Sequence, residues 1–501
     1  MDNNTFTTNL NPLVQQLNKE PKYFTKEDII AFIEDNDIKM LNFRYVAGDG
    51  RLKSLNFVIT DYDYLDQILS HGERVDGSSL FSFVEAGSSD LYVIPRFRSA
   101  FIDPFAELPT LCLLCSYYTK DGKPLEISPE YILRKAAKSF TDVTGMKFQA
   151  MGELEYYVIG NGDDLFPATD QKGYHESSPF AKFEDFRMQC MYLIAKAGGL
   201  VKYGHSEVGN FTLEDKIYEQ NEIEFLVTDV EDAANQLIIA KWIIRKLAYE
   251  YGLDVTFSPK ITTGKAGSGM HIHTRIVKEG KNCMVTDGKL NDTAKTAIAG
   301  YMQCAPSLTA FGNTNPTSYF RLVPHQEAPT TVCWGDRNRS VLVRVPLGWT
   351  ADVDMVANEN PIEKPQKKDG SQKQTVEFRC PDGSADVYLL LAGLTVAARS
   401  GFEMNNALET ATKTYVNVNI FHEEHKDRVA SLNSLPASCW ESAEMLEKQR
   451  EIYERHDVFP PSIINGIIKE LKKFEDKDIR KELEKNPDKM LELVYKYYYC
   501  G

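Results

Sequence analysis

Six side chains scattered along this 501-residue chain, Glu153, Glu155, Glu207, Glu222, His271 and Glu377, are of the types that hold hard divalent cations. Five carboxylates and one imidazole suffice for two ions of the Mg²⁺ or Mn²⁺ kind. Two such ions are what phosphoryl transfer to a carboxylate needs, because negative charge builds on both the attacking and the leaving oxygens. The set points to ATP-dependent ligation.

The local contexts explain why these residues belong together. In MGELEYYV, Glu153 and Glu155 are two apart, so on a strand they face the same side. Glu222-Ile-Glu224, His271-Ile-His273 and Glu377-Phe-Arg379 repeat the device within apolar, strand-like surroundings. Four strands offering polar residues to one side make a lined cleft, where unpaired charge is costly without a cation. In SPKITTGKAGSGMHIH a glycine-rich turn, Gly264 to Gly269, precedes His271, and such turns bring backbone N–H groups close to a ligand. Arg321, Arg337, Arg339 and Arg344, with Glu327 between them, fall in one stretch rich in apolar residues. Their forked guanidinium groups suit carboxylate and phosphate oxygens.

These residues need a scaffold of mixed helices and strands. The pattern predicts a helix from Lys26 to Asn36 capped by Thr25, another near Pro129 to Thr144, and a core helix from Val230 to Tyr251 stopped by Gly252. Short apolar runs between Met40 and Tyr118 alternate with turns and predict a small sheet-containing domain. The division expected is an arm over residues 1–24, a sheet domain over 25–118 and a larger α+β domain with terminal helices over 119–501. The arm is polar and reads as loosely attached. Residues 358–374, lysine-rich and broken by Pro and Gly, read as a surface loop or disordered insertion. Tyr497-Tyr498-Tyr499 is read either as a docked helix end or as an oligomer contact.

Composition narrows the partners. A hydrophobic content of 43% is ordinary for a globular protein, and a net charge of −15 argues against nucleic acid. The N-terminus lacks a signal-peptide pattern, and the longest apolar run, Val387 to Ala398, is short of the roughly 20 residues that span a bilayer. No membrane association is expected, and the cytoplasm is the default compartment. The nine cysteines have no secreted-domain spacing and read as reduced. The lone pair Cys112 and Cys115 is expected in a buried strand rather than in a zinc or redox site.

Five segments in order, VDGSSLFSFVEAGSSD, SPKITTGKAGSGMH, YFRLVPHQEAP, DRNRS and VEFRCPD, resemble signatures of the type I glutamine synthetases. The likeness runs from about Asp28 to Tyr415. It implies an α+β fold with an N-terminal β-grasp domain and a catalytic domain whose sheet forms a funnel. A homo-oligomer of two hexameric rings follows, with active sites between subunits. The implied reaction joins ammonia to the γ-carboxylate of L-glutamate through γ-glutamyl phosphate, with ATP and two or more Mg²⁺ or Mn²⁺ ions. By the resemblance, Glu155, Glu207 and Glu222 hold the ion on the glutamate and amine side, and Glu153, His271 and Glu377 the ion at the ATP phosphates. Arg321 and Arg379, with the backbone of Ala266 and Gly267, match glutamate contacts. Arg339 and Arg344 match phosphate contacts, and His273 and Arg275 fall at the nucleotide. Glu327 matches a flap residue that takes a proton from the amine, and Tyr174 an aromatic of the ammonium pocket.

The chain departs from the pattern in places. Ala47 stands where the family has an aspartate that binds ammonium, and Asp49 lies two residues on. Eight extra residues, FTLEDKIY, separate Glu207 from Glu222, which makes Glu214 a rival ligand. Lys202 and Arg275 place positive charge near the nucleotide. Ala47, together with Trp334 before GDRNRS, favours a second reading, a γ-glutamyl ligase that uses an organic amine.

Overall fold

The computed structural model describes residues 6–81, 89–162, 165–323, 328–348, 353–366, 369–425, 430–479, 483 and 486–501. Of the strands, β1 (Met40–Val46), β2 (Leu52–Val58), β3 (Glu73–Asp76), β4 (Asp90–Pro95), β5 (Phe101–Ile102) and β6 (Thr110–Thr119) form the first sheet, ordered β2-β1-β6-β4-β3 with β5 on β6. The central pair, β1 and β6, is parallel, and the other pairings are antiparallel. The helix Lys26–Asp35 packs on this sheet through Ile29, Ile30, Phe32 and Ile33. Its start is set by a capping box in which the Thr25 hydroxyl takes the Asp28 N–H and the Asp28 carboxylate takes that of Thr25. This is the β-grasp arrangement expected.

The arm is not loose over its described part. A short helix, Pro12–Leu17, buries Leu13 and Val14, and Asn11 donates through Nδ2 to the Ala100 carbonyl at 3.2 Å. Two apolar side chains outweighed the polar average of the segment.

The second sheet has ten strands. Its main path runs β16 (Trp334–Asp336), β17 (Val343–Val345), β18 (Val376–Phe378), β12 (Met270–Lys278), β7 (Lys147–Asn161), β9 (Lys216–Phe225) and β8 (Val201–Leu213). Three short strands join it: β10 (Thr228–Asp229) and β11 (Asp254–Thr256) on β7, and β13 (Lys281–Asn282) on β12. A small hairpin, β14 (Val285–Thr286) with β15 (Lys289–Leu290), stands apart. On β7 the side chains alternate: Leu154, Tyr156 and Val158 enter the main core while Glu153 and Glu155 face the other way. The apolar face is covered by the helices Pro129–Thr144, Val230–Tyr251, Asp292–Gly312 and Val387–Glu403. Helix Val230–Tyr251 approaches so closely that a Cβ on Gly152 would sit 2.8 Å from Leu237.

Among the described residues no single helix is long and apolar enough to cross a membrane; Val387–Glu403 is a core helix with Leu390, Leu391 and Leu394 fully buried. Cys112 and Cys115 are buried free thiols on β6, and burial pushes the Cys112 thiol up to about 11. Residues 370–373 form a 3₁₀ turn rather than a free loop, because the Asn282 side chain donates to the Ser371 and Gln374 carbonyls at 2.9 Å. The tyrosine run is a docked end, with the Tyr499 carbonyl receiving Arg51 Nη2 at 2.9 Å.

Candidate active site

The polar face of β8, β9, β7, β12 and β18 lines a cleft of about 1120 Å³. The six cation-ligand candidates line it, together with Tyr174, Ala266, Gly267, His273, Arg275, Arg321, Arg339, Arg344 and Arg379, whereas Glu327 lies outside the described residues. Register explains the convergence. Glu155 stands opposite Glu222, Glu153 opposite both Glu224 and His271, and His273 opposite Glu377. Period-two strands thus stack four acidic or imidazole pairs on one face.

Among the described residues three groups have donor atoms within 4.8 Å of one another, and two of them share no residue: Glu153 with His271 and Glu377, and His205 with Glu207 and Glu222. The first is the set the resemblance implied. In the second, His205 stands where Glu155 was expected, with its Nε2 3.2 Å from Glu222. Glu155 Oε2 instead accepts the Gly269 N–H at 2.8 Å and Gln220 Nε2 at 3.0 Å, so it lies between the groups and fixes the glycine-rich turn. A third overlapping group, Glu153 with Glu224 and His273, brings in a carboxylate that the sequence reading left unassigned. The signal for His205 was its place two residues before Glu207 on the same strand.

The rival ligand is placed elsewhere. Glu214 occupies the β8–β9 hairpin turn at φ 54°, exposed to solvent, while Glu222 is buried in the cleft. Residues 211–218 form the end of β8, the turn and the start of β9, and Glu222 lies opposite Glu155.

Charges in the cleft are unevenly compensated. Burial would raise the Glu153 carboxyl, but the charges and hydrogen bonds of His273 and His271, at 2.8 and 3.0 Å, outweigh it and hold it well below the usual range. Glu222 goes the other way: burial, then Glu153, Glu155, Glu207 and Glu224, push it well above. Burial, with a contribution from His175 and Arg187, lowers His205 and favours its neutral, ligand-competent form. This donor chemistry fits divalent cations, since a cation beside Glu222 offsets the burial and the neighbouring carboxylates that raise it.

The arginines form the opposite wall. Arg321, 4% exposed, donates to the carbonyls of Cys380 at 2.8 Å and Arg379 at 3.2 Å, and its Nη2 lies 3.2 Å from His271 Nε2. Glu377 is held between Arg379 Nε at 3.0 Å and Arg344 Nη1 at 2.9 Å. Arg339 is an exposed residue of the cleft lining, and Arg337, exposed at a positive-φ turn, does not line the cleft.

Other candidates are engaged within the chain. The Ala266 N–H goes to Gln171 Oε1 at 2.7 Å, and the Gly267 carbonyl accepts Gln220 Nε2 at 3.0 Å. Both ring nitrogens of His273 are occupied, by Thr375 and Glu153, which makes it a support for Glu153. Arg275 is clasped between Gln149 Oε1 at 2.6 Å and the Gln372 carbonyl at 2.7 Å, tying the 370–373 turn to β12. Lys202 pairs with Glu224 at 2.5 Å. Tyr174 stacks on His175 at 4.2 Å, and His175 and Tyr203 both flank His205, giving a ring cluster beside Glu207 and Glu222. Trp334 does not reach the cleft: its indole N–H donates to the Ala411 carbonyl at 2.6 Å and its ring packs on Tyr415.

Residues 126–490 match the family model described as glutamine synthetase, catalytic domain, and residues 37–120 that of the glutamine synthetase beta-Grasp domain. A glutamine synthetase of Clostridium saccharobutylicum is 30% identical over 441 residues, covering 86% of this chain and 91% of that one. One of Pyrococcus abyssi is 30% identical over 394 residues, covering 78% and 81%. Among solved structures, Plasmodium falciparum glutamine synthetase matches with a TM-score of 0.73 at 19% identity, over 91% of this chain and 97% of that one. GmaS in complex with ADP matches at 0.72 and 19% identity, over 91% and 99%. At such identities the structural likeness speaks for the fold.

Proposed function

The chain belongs to the glutamine synthetase family, and on that premise we propose that it joins ammonia to the γ-carboxylate of L-glutamate, converting ATP to ADP and phosphate and giving L-glutamine. The observation that carries this reading is the meeting of two cation-ready groups, Glu153/His271/Glu377 and His205/Glu207/Glu222, with the buried Arg321 in one cleft. Divalent cations bound there would supply neutralisation of phosphate and carboxylate oxygens.

In this reading the glutamate carboxylates lie against Arg321 and Arg379, while Arg339 and Arg344 meet the phosphates. The γ-carboxylate oxygen bonds to the terminal phosphorus and ADP leaves, giving γ-glutamyl phosphate. Ammonia then bonds to the acyl carbon and phosphate departs. Fixed guanidinium groups stabilise charge that develops at the phosphoryl oxygens without reorganising at the moment of reaction. Glu327 is assigned removal of the proton from the attacking amine, and Tyr174 one wall of the amine site. We extend the proposal to a homo-oligomer of two hexameric rings.

A second reading, a γ-glutamyl ligase taking an organic amine, draws support from the rings of Tyr174, His175, Tyr203 and His205 beside Glu222. Aromatic faces attract alkylammonium groups. Ala47 in place of the family aspartate agrees with it, whereas Trp334 lends it nothing. The proposed function is tested by glutamate-dependent phosphate release from ATP with Mg²⁺. Release that ignores glutamate would sink both readings.

A further inference from the structure

Away from the catalytic cleft, a second cavity of about 410 Å³ lies between the β1–β2 turn and the helix Val230–Tyr251. Its walls carry Arg51 from the turn, then Lys241, Trp242, Arg245 and Lys246 from the helix, and the backbone of the last residues of the chain. Lys241 is 5% exposed, and its ammonium has a hydrogen bond to the Gly383 carbonyl at 2.8 Å. Arg245 gives Nη2 to the Cys500 carbonyl at 2.8 Å, and Arg51 gives Nη2 to the Tyr499 carbonyl at 2.9 Å.

Among the described residues, no carboxylate lies within 4.0 Å of the charged nitrogens of Lys241, Arg245 or Arg51; Lys246 has Glu250 at 2.8 Å. The nearby Asp386 is committed to capping the helix Val387–Glu403, where it takes the Leu389 N–H at 3.0 Å, and Asp382 to Asn313 and Ser384. Three cations around the cavity have neutral carbonyls as their hydrogen-bond acceptors, and the carboxylates of Asp386 and Asp382 act on Lys241 only from beyond ion-pair distance, so the positive charge is incompletely offset. The same strain shows in Lys241, which burial and the charge of Arg245 push down to about 7. Phe257 sits under both groups, 5.4 Å from Lys241 Nζ and 4.8 Å from the Arg245 guanidinium, which narrows their approach to the cavity side.

We propose that this pocket binds a small oxyanion bearing carboxylate or phosphate groups, held by Lys241, Arg245 and Arg51 with Trp242 as its wall. Its volume is within the range of small-molecule sites, roughly 300–1,000 Å³. The site is separate from the cleft and stands whether or not the catalytic reading does.

The test is calorimetric titration of the full chain with inorganic phosphate and, separately, with succinate, with tryptophan fluorescence followed in parallel. For at least one of the two anions a saturable site is expected that the pocket substitutions weaken, additional to any binding at the arginines of the cleft. Response to phosphate identifies a phosphoryl ligand, and response to succinate a carboxylate ligand. Binding is expected to weaken at least about tenfold in Lys241→Met and Arg245→Gln, and the fluorescence response to vanish in Trp242→Phe. If the buried substitutions prevent folding, Arg51→Gln, at an exposed position, is expected to weaken binding as well. A chain that binds neither anion at millimolar concentration, or that binds equally well in the folded pocket variants, overturns the proposal.

Discussion

Glu155 and Glu222 stand directly opposite each other on antiparallel strands, yet their carboxylates have different surroundings. Glu155 accepts N–H groups from Gly269 and Gln220, at 2.8 and 3.0 Å. Glu222 faces His205 and four other carboxylates, which together with burial raise its carboxyl well above the usual value. One carboxylate organises a turn, and the other awaits a positive charge. That asymmetry carries most of what can be tested in the cleft.

Cation binding is expected to depend on pH through Glu222. Its raised value means the folded, cation-free chain keeps a proton that the unfolded chain releases above 4.5. Stability without cation therefore falls as pH rises from that value toward the raised one. A cation must displace the proton, so Mg²⁺ or Mn²⁺ affinity rises with pH over the same window. Calorimetry at several pH values checks both signs; affinity falling with pH would contradict the arrangement.

Glu222→Ala is expected to lower activity at least about a hundredfold, as loss of a cation-holding group does. Glu214→Ala, in the exposed hairpin turn, is expected to stay within about twofold, as surface changes do. Steady-state rates of the two variants decide the matter, and the reverse order would move the site to the turn.

At Gly269 the backbone passes so close to its neighbours that a Cβ would lie 2.5 Å from Arg321 Nη2 and 2.7 Å from His271 Nε2. Gly269→Ala should displace both groups, cost about 1–3 kcal/mol as overpacking does, and lower cation affinity. Thermal unfolding with and without Mn²⁺ measures the two effects. An alanine variant with unchanged affinity would show that His271 is not held in place from this side.

Ala47 is 2% exposed within its own chain, with its N–H on the Arg51 carbonyl. An aspartate there buries a carboxylate, so Ala47→Asp is expected to destabilise the chain by about 2–3 kcal/mol and not to improve ammonium use. A variant with unchanged melting temperature that saturates at lower ammonium would instead show that position 47 reaches the amine.

The strands that carry the cleft were legible because their signal is local. An acidic or imidazole residue two places from a polar partner, among apolar neighbours, specifies both a strand and the face it offers. Thr25, Gly252 and the core face of Val230–Tyr251 were legible for similar reasons. Partnerships across strands were not: that His205 joins Glu207 and Glu222 while Glu155 turns to Gly269 depends on register, which the sequence does not print. The engagement of Arg275 with Gln372 joins residues 97 apart in the chain, and the docking of Leu13 and Val14 depends on a groove formed elsewhere.

The central claim is that this cleft makes an amide from glutamate, ammonia and ATP. The direct measurement is mass analysis of the product formed by purified chain with ATP, Mg²⁺, L-glutamate and ¹⁵N-ammonium, beside parallel reactions with small primary amines. The account predicts ¹⁵N-labelled glutamine in amounts matching the phosphate released. Phosphate release with an N-alkyl γ-glutamyl amide from the amine reactions and no labelled glutamine would contradict it.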